Sequence, residues 1–231
     1  MNNDKPPSEQ ETSSRPLAWG VVLVGGLLAV VLRVVPHPTS FSSVGAVSLF
    51  GGARVRGWKA YLIPLAVMIV SDLVLWVLSG FDFNYSLGHP SRFFVYGSFM
   101  IYVWIGRWLF DKNSILAVAL AGTLGGLQFF IVTNFCTWLF QPLYYEMVPE
   151  AFRYTRDLDG LIQCFVAALP FYRGDTPLMQ HPFVLLSDFN FIIVWTILGD
   201  ILFTSIYLLA HGKLVQRMAQ PEQTPVAAPS A

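Results

Sequence analysis

Charge is scarce in this chain. Fourteen basic and fourteen acidic residues make up 12% of its 231 positions, and the formal net charge is zero. A soluble domain carries about a quarter charged residues, so the composition excludes an ordinary soluble protein. With no basic surplus and no long basic run, there is no electrostatic footprint for nucleic acid. Cysteine is scarce too. Cys136 and Cys164 stand alone, which excludes a scaffold of bridges and leaves open whether the two pair. The four histidines, His37, His89, His181 and His211, lack metal-ligand spacing. Walker A and dinucleotide fingerprints are missing, as is any Ser-His-Asp order. Glu146, Glu150, Asp157 and Asp159 mingle with Arg153 and Arg156. That mixture reads as a solvated surface, not as paired catalytic carboxylates. No enzyme, metal or cofactor is expected.

Hydrophobicity is what the chain has in quantity: 55% of its residues are apolar. About 20 helical residues cross a bilayer core. Residues 17–35, 59–79, 93–110, 114–140 and 191–210 fit that length. Residues 38–53, PTSFSSVGAVSLFGGA, are uncharged but short, and read as a short span or a re-entrant segment. The expected fold is an all-α bundle of about six transmembrane helices, forming one domain over 17–212. Disordered polar tails are expected to flank it at 1–16 and 213–231. Between 141 and 190 lies a long connection with a short helix, 158–171. With six crossings and both ends inside, nine basic residues fall inside: Lys5, Arg15, Arg54, Arg56, Lys59, Arg107, Lys112, Lys213 and Arg217. Five fall outside: Arg33, Arg92, Arg153, Arg156 and Arg173. That bias sets both termini in the cytoplasm and the long connection outward.

Polar groups inside spans mark function by default. Arg33, Asp72, Asn134 and Asp200 come from four different spans. At about 1.5 Å per residue, Asp72, Asn134 and Asp200 lie roughly 9–13 Å below the outer end. Arg33 sits close to it. The four form either one outward-facing polar site or interhelical pairs that hold the bundle together. In FFIVTNFCTWLF (129–140), Phe130, Asn134 and Trp138 share one helical face. An amide between aromatics suits a wall for a small ligand, while Trp138 also suits an interfacial belt. Gly25 and Ala29 form a small-xxx-small pair in the first span. Such a pair serves either internal packing or a partner-docking face.

Several patches occur together: Arg33 with PHP (36–38), FSSVGAVSLFGGA (41–53), Pro64 with Ser71-Asp72, and TNFCTW (133–138). YTRDLDGLIQCFVAALPF (154–171) and ILGDILFTSIYLLAHG (197–212) follow. In this order they resemble a bacterial family of multi-pass transport proteins of unassigned substrate. That family is similar to the substrate-binding S subunits of energy-coupling-factor importers. The resemblance implies capture of a small molecule from outside the cytoplasmic membrane, with Arg33 facing an anionic group. Asn134 would hydrogen-bond the ligand, Phe130 and Trp138 would stack on it, and Asp72 and Asp200 would position Arg33 or meet a donor. A transmembrane coupling subunit, docked on Gly25 and Ala29, and ABC-type ATPases would supply the energy. Residues 173–195 are additional to that pattern. Two other readings remain: a solitary proton-coupled transporter using Asp72 or Asp200, and a membrane assembly or interaction protein.

Overall fold

The computed structural model describes residues 9–35, 41–81, 92–109, 114–141, 154–168 and 192–219. The described residues form seven helices and no strand. They are α1 (Glu9–Val34), α2 (Val44–Arg54), α3 (Lys59–Leu78), α4 (Arg92–Leu109), α5 (Ile115–Leu139), α6 (Leu158–Ala168) and α7 (Ile192–Ala219). The PHP patch, residues 173–191 and most of the 141–190 connection lie outside the described residues. Two boundaries differ from the hydropathy reading. α1 begins at Glu9 and runs through Pro16, and α7 continues past 212 to Ala219. Polar residues therefore extend these two helices beyond their apolar parts.

Four helices have the length and apolar composition to cross a membrane: α1 from Ser14, α3, α5 and α7 from Ile193. Their outer faces show why. Leu116, Leu120, Leu124, Leu127, Ile131 and Phe135 of α5 are all exposed, as are Val194, Leu198, Leu202, Ile206 and Leu209 of α7. Steps of three and four place each set on one helical stripe. The interior, by contrast, holds Ser43, Ser48, Ser71, Asp72, Ser98, Thr196, Asp200 and Thr204. Water would not tolerate so many apolar stripes on one small bundle, whereas hydrocarbon favours them. The chain is a membrane protein.

α2 is the centre of the bundle. Every residue from Val44 to Gly52 is buried, and α1, α3, α4, α5 and α7 all pack on it. Its 11 residues span about 16 Å, half a bilayer core. Residues 38–53 thus supply a short internal helix. One end lies beside Asp200 through Gly45, and the other leads to Gly57, whose carbonyl accepts from Arg107 near the end of α4. Close approach makes this possible. A Cβ on Gly52 would stand 2.1 Å from the Val103 carbonyl oxygen of α4, and one on Gly106 would stand 2.2 Å from that of Leu49.

Local signals set the ends. Ser114 caps α5 by accepting from the Ala117 amide at 3.1 Å. α3 closes in a Schellman turn: Phe81 N–H donates to the Trp76 carbonyl at 2.9 Å and Gly80 N–H to that of Val77 at 3.2 Å. Gly80 takes φ +74° there, and Phe81 packs edge-on against Trp76. Asp157 caps α6, accepting from the Gly160 amide at 2.8 Å and the Thr155 hydroxyl at 2.6 Å. The Thr155 bond, then the Gly160 amide, hold its carboxyl below the usual range. A lowered carboxyl contributes while ionised and is lost as pH falls through its lowered value. Amide exchange over 158–168 is therefore expected to be slow at neutral pH and to accelerate, after correction for intrinsic rates, on acidification. Asp157→Ala should bring that acceleration to neutral pH and Asp157→Ser should restore part of the protection. Equal protection in all three proteins would remove the cap.

Candidate functional site

Arg33 ends α1, where the guanidinium complements the negative end of the helix dipole. It reaches Asp72 of α3, Nη2 to Oδ1 at 2.7 Å, and contacts Met68 Sδ at 3.0 Å. Arg92, the first residue of α4, places Nε 3.3 Å from the other oxygen of the same carboxylate. Tyr96, one turn further along α4, donates its hydroxyl to that oxygen as well. Asp72 is only 2% exposed, so two arginines share one buried carboxylate. The cluster carries a surplus positive charge, and Arg33 Nε and Arg92 Nη1 are buried without a hydrogen-bond partner.

Beside this cluster a cavity of about 240 Å³ opens between the helices. Arg33 forms part of one wall, Val44, Leu75, Val95, Phe99 and Phe129 are apolar lining, and Thr196, Tyr102 and Asp200 also face it. Asp200 is 2% exposed and accepts from the Tyr102 hydroxyl at 2.6 Å. Among the described residues no cation pairs with it. Glycine makes the slot for this pair. A Cβ on Gly45 would lie 2.1 Å from Asp200 Oδ1, and one on Gly125 would lie 2.3 Å from the Tyr102 ring. The volume falls just below the usual 300–1,000 Å³ of ligand pockets. A small molecule with an apolar body and polar ends suits it.

The sequence-derived candidates separate into two groups. Arg33, Asp72 and Asp200 gather at this end of the bundle as expected from their depths. Phe130, Asn134 and Trp138 share a face, but the cavity lies elsewhere. Asn134 donates to the Phe130 carbonyl of its own helix at 2.8 Å. Phe130 meets Phe165 of α6 edge-on. Trp138 donates to the Thr155 carbonyl at 2.8 Å, with Arg156 over its ring. Thr133 and Thr137 likewise bond the carbonyls of Phe129 and Thr133, four residues back. These polar groups satisfy themselves within α5, and the aromatics seat the 154–168 segment. Gln141 completes that seat by exchanging two hydrogen bonds with the Tyr154 backbone.

Gly25 and Ala29 are also covered. Gly25 admits the Tyr207 ring of α7, 2.9 Å from where a Cβ would stand, and Ala29 has no exposed surface. They are internal packing, so a docking face centred on them is corrected: the chain's own helices occupy it. Cys136 and Cys164 are buried free thiols. No metal-binding group of side chains occurs among the described residues. Sequence reasoning missed Arg92, Tyr96, Tyr102 and Gly45. Arg92 and Tyr96 are four apart at the start of α4, a spacing that puts both on one face. That spacing shows a shared face but not that the face meets Asp72.

Neither the curated proteins nor the solved structures provide a match to this chain. Residues 13–222, nearly the whole bundle with both its charge cluster and its cavity, match a family of unknown function, DUF6580, and the chain belongs to that family.

Proposed function

We propose that this protein captures a small molecule within the membrane, as the substrate-binding subunit of an ATP-driven importer. The observation that carries this reading is the cavity, about 240 Å³, with Arg33 and Asp200 facing an otherwise apolar space. Such polar groups are costly in a bilayer, roughly 2.5–3.5 kcal/mol each at mid-depth on insertion scales. A site that only held helices together would not need an open space between them. The excess of Lys and Arg at the other end of the bundle supports an orientation in which the cavity faces outward across a bacterial cytoplasmic membrane. In that arrangement α2 stands for the second of six crossings, a short one. The sequence shows no Walker A motif, which agrees with a division of labour in which a transmembrane coupling subunit and ABC-type ATPases drive transport. Their contact would use a surface other than Gly25 and Ala29.

The test is direct. The full chain is purified from its native membrane in mild detergent, and the molecules released on denaturation are identified by mass spectrometry. A single small species at near-stoichiometric level is expected, together with membrane and ATPase partners. Leu75→Trp fills the cavity from a half-buried wall position and should reduce the released species at least about tenfold. A protein that releases nothing specific, or the same species from the filled variant, would end the capture reading.

One observation favours a second reading. Asp200 lacks a cationic partner among the described residues, which suits a proton carrier in a solitary transporter. Uptake into liposomes holding this chain alone, abolished by an uncoupler, would support it.

A further inference from the structure

We infer that the cavity takes a small zwitterion, with its acid group against the Arg33 guanidinium and its ammonium against the Asp200 carboxylate. This rests on the capture reading above and narrows it to a substrate class. The charges decide it. Arg33 and Arg92 face Asp72, leaving one positive charge in surplus. Asp200, which lines the same cavity as Arg33, has a hydroxyl donor and, among the described residues, no cation. With Asp200 ionised, the described charged groups around the cavity sum to zero.

A ligand entering a membrane-embedded cavity must not leave charge uncompensated. A plain anion would satisfy Arg33 and gain nothing from Asp200. A plain cation would satisfy Asp200 and leave the arginine surplus. A molecule with both groups neutralises each locally and leaves the total unchanged. The polar groups fit as well. Arg33 lines the cavity, and an acid group is the acceptor a guanidinium edge recognises best. Tyr102 occupies Oδ2 of Asp200, and Oδ1 lies against Gly45, itself a lining residue. Val95, Phe99 and Phe129 line the same space and favour an apolar body, and a volume of about 240 Å³ suits one of the size of an amino-acid side chain.

The experiment is a charge-deletion series on the full chain in lipid nanodiscs. Phenylalanine, phenylpropanoate and phenylethylamine form one set; leucine, isocaproate and isopentylamine form the other. Within at least one set the zwitterion is expected to bind at least about tenfold more tightly than either single-charge analogue, a difference of about 1.4 kcal/mol. Asp200→Asn, which keeps an acceptor for Tyr102, should bring the amino acid down to the level of the acid and leave the acid unchanged. Arg33→Gln should bring it down to the level of the amine. Equal binding of acid and amino acid, an unaltered preference in both variants, or no binding by any of the six would overturn the assignment. The capture reading fails separately. A co-purified species with a single charge sign removes the zwitterion and leaves capture standing, whereas no co-purified species removes both.

Discussion

Asp72→Asn is expected to lower stability by about 3–5 kcal/mol, enough to lose most of the folded protein on extraction. The carboxylate is 2% exposed and serves three donors at once: Arg33, Arg92 and the Tyr96 hydroxyl. Asparagine preserves its shape and one acceptor oxygen but removes the only counter-charge that the described structure places between the two guanidinium groups. Two part-buried cations then face each other. The penalty is that of leaving charge uncompensated, which exceeds what the intact pair contributes. Removing one arginine should therefore help. Asp72→Asn combined with Arg33→Met is expected to recover about 1–3 kcal/mol relative to Asp72→Asn alone, a strong positive coupling in a double-mutant cycle. Thermal unfolding in detergent, read by the monodisperse fraction on size exclusion, measures both. If the double variant is no better than the single one, the cost arises from packing around Asp72 and not from charge.

That cluster also marks the limit of what the residues disclose before the fold is known. Helix positions were legible because lipid rewards a long apolar stripe, and Leu116, Leu120, Leu124, Leu127, Ile131 and Phe135 form one. Depth was legible because rise per residue is constant, which put Arg33, Asp72 and Asp200 at one end of the bundle. Azimuth relative to neighbouring helices was not. The shared face of Phe130, Asn134 and Trp138 was sound arithmetic. Which element that face would meet depended on the seating of α6, through contacts such as Phe130 with Phe165. Arg92 was hidden for another reason. A cation at a span boundary ordinarily belongs to the loop, and only the position of Asp72 across the helix interface draws it inward. Tyr102 and Gly45 lacked any local signal. A tyrosine in an aromatic-rich helix is unremarkable until a carboxylate from α7 lies 2.6 Å away.

The shape of the cavity depends in turn on how closely α2 and α4 approach, and this gives the second large effect. Gly52→Ala is expected to abolish the native bundle, with a cost of at least about 3 kcal/mol, at the upper end of overpacking penalties. The added Cβ would lie 2.1 Å from the Val103 carbonyl oxygen and 2.9 Å from its carbon. Those are backbone atoms, so no rotamer change relieves the contact and the helices must separate. Gly106→Ala places its Cβ 2.2 Å from the Leu49 carbonyl oxygen and should do the same from the other side. Separation at that point would also carry Gly45 and Tyr102 apart, since they sit on these two helices at the cavity end. Stability and binding are therefore expected to fall together. Gly20→Ala and Gly212→Ala supply the contrast, because nothing lies within 4 Å of either new methyl. Both sit inside helices, where alanine is favoured over glycine by up to about 1 kcal/mol, so their melting temperatures should equal or exceed that of the parent chain. Similar melting for all four variants would mean that α2 and α4 tolerate a wider spacing. The tight glycine contact would then not be what fixes the width of the cavity.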